Sequence, residues 1–231
     1  MNEMNGQELL EARKQKYWEQ IETAEKLGVS QTYLSLLETG KRPVTKQIAR
    51  KAVKIFGLSA EALPILSSLE NLRIAANNDL ARDLSALGYP PLAHIKARHK
   101  RNPAEVLLSA LRSDNLDSRI VEALPWVVFN FPQMDWDSVI RAAKINDLQN
   151  RLGFIVELAE KLASISKNSA KLNILHEKKV ALSKSRLLHE DTLCQNSITD
   201  AEKNWLKTNR SKEARFWRLL SDLTIKNLNY A

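Results

Sequence analysis

The residue types best suited to recognising another molecule lie in one run, Gly28 to Pro43, which reads GVSQTYLSLLETGKRP. Gln31, Thr32 and Ser35 offer hydrogen bonds from the early part of a helix, and Lys41 and Arg42 offer positive charge just beyond its end. Leu34 and Leu37 supply the apolar side that would fasten such a helix to a core. Two readings fit this pattern: an ordinary helix hairpin with a polar loop, or a segment that enters a DNA groove.

Other groupings that could do chemistry are sparse. Asp114, Asp117, Asp135 and Asp137 form the tightest acidic set, yet Asp117 and Asp135 stand where helix caps are needed. No Gly-rich loop, nucleophile elbow or HExxH motif accompanies them, so the expectation is a protein that is not an enzyme. His94, His99, His176 and His189 have no carboxylate or cysteine at metal-ligand spacing, and no metal or cofactor is expected. Trp126, Phe129, Phe131 and Trp136 cluster around two prolines, as core or as the wall of a small-molecule pocket. HIKARHKR, His94 to Arg101, reads as a solvated helix face or as an added nucleic-acid contact.

The elements that must position these residues are helices. GQELLEARKQ sets Leu9, Leu10 and Arg13 on helical spacing. QIETAEKLG sets Ile21, Ala24 and Leu27 three apart before Gly28, a C-cap that tolerates positive φ. Ser30 caps the next helix, which Gly40 ends, and Thr45 and Ser59 cap two more. Five short helices up to Pro64 make a first domain, residues 1–66, with a connecting stretch from Pro64 to about Asn77.

Residues 67–231 predict a larger irregular helical bundle. Helices should begin at Asn78 or Asp79; at Asn102, with Pro103 first and Glu105 completing a capping box; and at Asp117, with Pro125 kinking or splitting that helix. Further starts are expected at Asp135, at Thr199 and at Ser211, the last opening KEARFWRLLSDL with Phe216, Trp217 and Leu220 docked inward. Leu148, Leu152, Ile155, Ala159 and Leu162 form one apolar seam, for internal packing or for dimerisation. The fold class is therefore all-α.

The composition, 44% hydrophobic and 27% charged, is that of a globular chain, and six glycines among 231 residues argue against an all-β fold. A net charge of +8 and a pI near 9.5 favour a polyanionic partner. The one cysteine, Cys194, has no intramolecular partner. With neither a signal peptide nor an apolar run near 18 residues, a cytoplasmic location away from membranes is expected.

EQIETAEKLGVSQTYLSLLETGKRPV resembles the helix-turn-helix of the Cro and phage-repressor (XRE) family through A..LGVS, YLS.LE.G and KRP, and the resemblance spans about Gly6 to Leu63. It implies a five-helix, lambda-repressor-like domain that binds double-stranded DNA. It also implies that Gln31, Thr32 and Leu36 meet base edges in the major groove. Contacts to the DNA backbone would come from Gln20, Ser30, Tyr33, Ser35, Lys41, Arg42 and Lys46. These residue types suit those tasks: glutamine pairs bidentately with adenine, threonine offers hydroxyl and methyl, and leucine covers a thymine methyl. Glu19 and the apolar Leu36 depart from the family's usual residues.

The expected function is a sequence-specific transcriptional regulator that represses its own operon, binding an inverted-repeat operator as a homodimer. The alternative is an antitoxin whose C-terminal domain neutralises a toxin protein. DNLDSRIVEALPWVVFNFPQMDW, with INDLQNRLGF and EARFWRLLSDLT, is similar to the helical tails of XRE-type regulators found beside toxin genes, nucleotidyltransferase-like toxins included.

Overall fold

The computed structural model describes residues 4–65, 69, 74–96 and 99–228. The chain divides into two compact units, Met1–Leu66 and Ser67–Ala231. Parts of the connecting stretch after Pro64 and of the run His94 to Arg101 lie outside the described residues.

The first unit holds α1 (Gly6–Gln15), α2 (Gln20–Leu27), α3 (Gln31–Glu38), α4 (Lys46–Phe56) and a 3-10 turn, Ala60–Ala62. The fifth expected helix is thus a single tight turn, capped by Ser59 onto the Glu61 amide. Asn5 and Glu8 form a reciprocal capping box that starts α1. Ser30 caps α3 through the Tyr33 amide, and Thr45 caps α4 through that of Ile48. Leu9, Leu27, Leu34, Leu37 and Ala52 are wholly buried where the helices meet. Burying one such leucine contributes roughly 1.5–3 kcal/mol.

The second unit holds α5 (Asn77–Leu87), α6 (Pro103–Leu111), α7 (Ser118–Asn130), α8 (Trp136–Ile145), α9 (Gln149–Ile165), α10 (Ser169–Ser183), α11 (Asp200–Asn209) and α12 (Lys212–Phe216). Several starts differ from expectation. Ala76, with no capping side chain, precedes α5. Asn102 caps Ala104 rather than the third residue of α6, and Glu105 is buried, 3.6 Å from Arg101, instead of closing a capping box. Asp117 stands at the N-cap of α7 without a capping bond, and α7 runs unbroken through Pro125. Its flanks, Leu124 and Val127 among them, are held in the core, so packing outweighs the lost amide.

The helix expected after Ser211 ends early. Arg218 takes a left-handed conformation (φ 58°), and Leu219–Leu220 then forms β2, paired in parallel with β1 (Asp191–Thr192). This small sheet was invisible to periodicity, because two-residue strands have none to show. The turn sends Trp217 inward and leaves Phe216 46% exposed, against the expectation that both would dock.

Helix α9 organises the second unit. Leu148, Leu152, Ile155, Ala159 and Leu162 are all buried within the chain, so the seam serves internal packing. Several polar groups on its other faces hold a neighbour. Asn150 exchanges two hydrogen bonds with the backbone of Leu187, and Arg151 pairs with both oxygens of Asp191 while donating to the Leu111 carbonyl. Glu160 accepts from Lys179 and lies 2.7 Å from His176 Nδ1. Glu157 accepts from the indole of Trp217 at 2.7 Å, and that ring lies where a side chain on Gly153 would be. Cys194 is buried with its thiol toward the Ala110 carbonyl, and burial pushes its pKa up to about 12. No helix among the described residues is long and apolar enough to cross a membrane.

Gly153→Ala should therefore displace Trp217 and destabilise the chain by about 1–3 kcal/mol, the usual range for overpacking. Denaturant unfolding checks this, with loss of the native tryptophan fluorescence signal at lower denaturant than for the unaltered protein.

Candidate nucleic-acid interface

The turn between α2 and α3 is built by Gly28, whose left-handed backbone (φ 70°, ψ 43°) brings its own amide and that of Val29 back to the end of α2. Lys51 Nζ donates to the Leu27 carbonyl at 2.9 Å and neutralises the negative end of that helix. Ala24, buried, lets α2 and α3 cross closely. Leu34, Leu37 and Glu38 then face inward, and the opposite side of α3 is left to solvent.

That outer side carries the expected reading residues. Gln31 and Thr32 are exposed in the first turn, and Ser35 and Leu36 follow half-buried. Tyr33 is half-buried, and Ser30, at the N-cap, keeps its hydroxyl proton free to donate outward. Past the end of α3, the amides of Gly40 and Arg42 bond back to the carbonyls of Leu37 and Leu36. This closed turn holds Lys41 and Arg42 exposed beside the helix, and neither has an ion-pair partner among the described residues. Lys46 is placed differently, because its Nζ donates to the Ile65 carbonyl at 3.0 Å.

Gln20 is also engaged internally. Its amide donates at 2.8 Å to Glu38 Oε2, a carboxylate that is itself held by Arg13 through Nε to Oε1 at 2.6 Å and Nη2 to Oε2 at 3.0 Å. Arg13 Nη1 donates further to the Trp18 carbonyl at 3.0 Å. One buried carboxylate at the end of α3 thus gathers α1, the α1–α2 loop and the start of α2. The hydrogen bond to Glu38 holds the Arg13 guanidinium above its ordinary pKa, against the opposing effect of burial. Gly6 completes the clamp: any side chain there would collide with the Leu37 carbonyl, so the start of α1 lies directly against the last turn of α3.

Residues 9–63 match the family model described as Helix-turn-helix. They form a helix-turn-helix domain of the Cro and phage-repressor (XRE) type. The match implies DNA binding by this domain, and it leaves the second unit unassigned. No curated protein and no solved structure matches the chain.

The clamp of the helix-turn-helix domain is not marked by any local pattern of the sequence. By sequence Arg13 reads as a member of a helical stripe, and Glu38 as part of a turn motif. The signal was nonetheless present: Arg13 lies one turn after the buried Leu9, and Glu38 one turn after the buried Leu34, so both charges occupy core-facing positions.

Asp135 caps the Ser138 amide, Asp114 accepts from Asn196, and Asp137 is exposed. Trp126 packs edge-on to Tyr89 and Phe131, Lys171 lies 4.0 Å from the centre of the Phe129 ring, and the Trp136 indole donates to the Pro132 carbonyl. Among the described residues no group of three or more His, Cys, Asp or Glu side chains could hold a metal ion.

Glu38→Ala should destabilise the helix-turn-helix domain by about 2–4 kcal/mol, since it leaves Arg13 in a largely buried place without its counter-charge. Gly6→Ala should also destabilise it, by forcing α1 away from α3. Thermal unfolding of both variants is the check, with lowered midpoints expected for each.

Proposed function

We propose that this protein is a sequence-specific DNA-binding transcriptional regulator of the cytoplasm that represses its own operon. The observation that carries the reading is the outer face of α3: exposed Gln31 and Thr32, flanked by the unpaired cations Lys41 and Arg42, on a helix clamped from three sides. A pre-set helix loses little conformational freedom on entering the major groove, so its hydrogen bonds go to discrimination rather than to ordering.

In this reading Gln31, Thr32 and Leu36 meet base edges, while Ser30, Tyr33, Ser35, Lys41 and Arg42 contact the sugar-phosphate backbone. Gln20 would use the amide hydrogen and carbonyl not engaged by Glu38, and Lys46 would act by charge from its place beside Ile65. A single short helix reads few base pairs, so the protein would bind as a homodimer on an inverted repeat, with half-sites about one helical turn, roughly 34 Å, apart. Pairing of the two copies belongs to the second unit, but not through the α9 seam, which is already buried within one chain.

Footprinting on the DNA that precedes its own gene is expected to show two symmetric protected patches; a single asymmetric patch bound by a monomer contradicts the dimer. Gln31→Ala should reduce preference for that site by about 1–3 kcal/mol and leave non-specific binding nearly intact. Lys41→Ala should weaken binding to every sequence and lower the salt slope by about one unit. Titrations of specific and random duplexes across a salt series separate the two effects.

A further inference from the structure

The positive charge of the chain is not concentrated where the helix-turn-helix domain is. Residues 1–66 carry ten Lys and Arg against eight Asp and Glu, so they account for only +2 of the net +8, and residues 67–231 account for +6. Within the first unit, Arg13, Lys46 and Lys51 are further engaged with Glu38, Ile65 and Leu27.

Much of the basic run in the second unit is likewise engaged. Lys179 is paired with Glu160, Lys178 with Glu177, Lys161 with Glu213, and Arg210 with Glu190. One group of cations is different. Arg186 stacks on the exposed Phe216 ring, with its guanidinium carbon 4.3 Å from the ring centre, and donates through Nη1 to the Phe216 carbonyl at 2.6 Å. Next to it along the chain are Lys184, two residues before Arg186; Lys212, one helical turn before Phe216; and Arg215 and Arg218 on either side of the Phe216–Trp217 pair. All four are exposed. None has an ion-pair partner among the described residues. The nearby carboxylates Glu213 and Glu190 are already neutralised by Lys161 and Arg210, and Asp222, beyond β2, is the exposed one nearest along the chain.

We propose that this patch, centred on the Arg186–Phe216 stack, is a second contact for the phosphate backbone of DNA. It goes beyond the assignment of the helix-turn-helix domain and rests on the reading of the protein as a DNA binder. Stacking and the carbonyl bond fix the Arg186 guanidinium, so its remaining N–H groups form a set fork for phosphate oxygens. The surrounding cations add sequence-independent attraction through counterion release. A protein partner is the poorer fit. Arginine and aromatic residues also serve protein interfaces, but the core of such an interface is depleted of charge, whereas this patch offers one ring beside five cations.

The test uses the full chain, a random-sequence duplex several helical turns long, and binding measured over a salt series. Removing three charges with Lys184→Gln, Arg215→Gln and Arg218→Gln should lower the salt slope by about two to three units and weaken low-salt binding more than tenfold. No side-chain hydrogen bond or ion pair of these three is found among the described residues, and an unchanged melting temperature verifies that the triple variant folds. Lys41→Gln with Arg42→Gln serves as the comparison in the helix-turn-helix domain. If that pair lowers the slope and the triple variant does not, the second contact is overturned while the first stands. If the unaltered chain shows no salt-dependent DNA binding, both are overturned. If the triple variant keeps the DNA slope but loses binding to polyglutamate, the patch serves an acidic protein and the proposal is wrong.

Discussion

The carboxylate of Glu38 is the interaction on which the DNA-facing surface depends. It takes two hydrogen bonds from Arg13 and one from Gln20, so the end of α3 is tied at once to α1 and to the start of α2. A charge so deeply placed would be costly without these partners, and with them it fixes the angle at which α3 stands out from the domain. Gly6 and Ala24 supply the matching steric condition, since both allow backbones to approach where a larger side chain would hold them apart. The outer residues of α3 contribute nothing to this framework, which leaves their chemistry available for recognition.

The second unit is organised on the same principle, with α9 in the place of the clamp. Its apolar positions fill the interior, and its polar positions hold Leu187, Asp191, Trp217, His176 and Lys179 in turn. The route of the chain after α12 follows from this arrangement. Trp217 must lie over Gly153 to reach Glu157, and the left-handed Arg218 then redirects the chain into β2. Phe216 is left outside as a consequence, where Arg186 covers it.

Much of this was legible in the sequence wherever a local rule decides the outcome. Ser30, Thr45, Asp135, Thr199 and Ser211 cap the helices they were expected to cap, and Gly28 makes the turn its position called for. The placement of Gln31 and Thr32 on an open face follows from the burial of Leu34 and Leu37, which periodicity shows. What stayed hidden depended on partners distant along the chain. Arg13 and Glu38 are separated by 25 residues, Arg151 and Asp191 by 40, and Glu157 and Trp217 by 60, and no local pattern pairs them. Glu105 shows the same limit from the other side: it satisfies the spacing of a capping box, yet it is drawn inward next to Arg101.

The central claim is that the outer face of α3 reads DNA sequence. Selection of bound duplexes from a random pool by the full chain tests it most directly, run in parallel with a variant carrying Gln31→Ala and Thr32→Ala on the intact clamp. The account predicts that the unaltered chain enriches one motif with two symmetric half-sites and that the variant enriches it weakly or not at all. Enrichment of the same motif by both proteins, or of none by the unaltered chain, would contradict it.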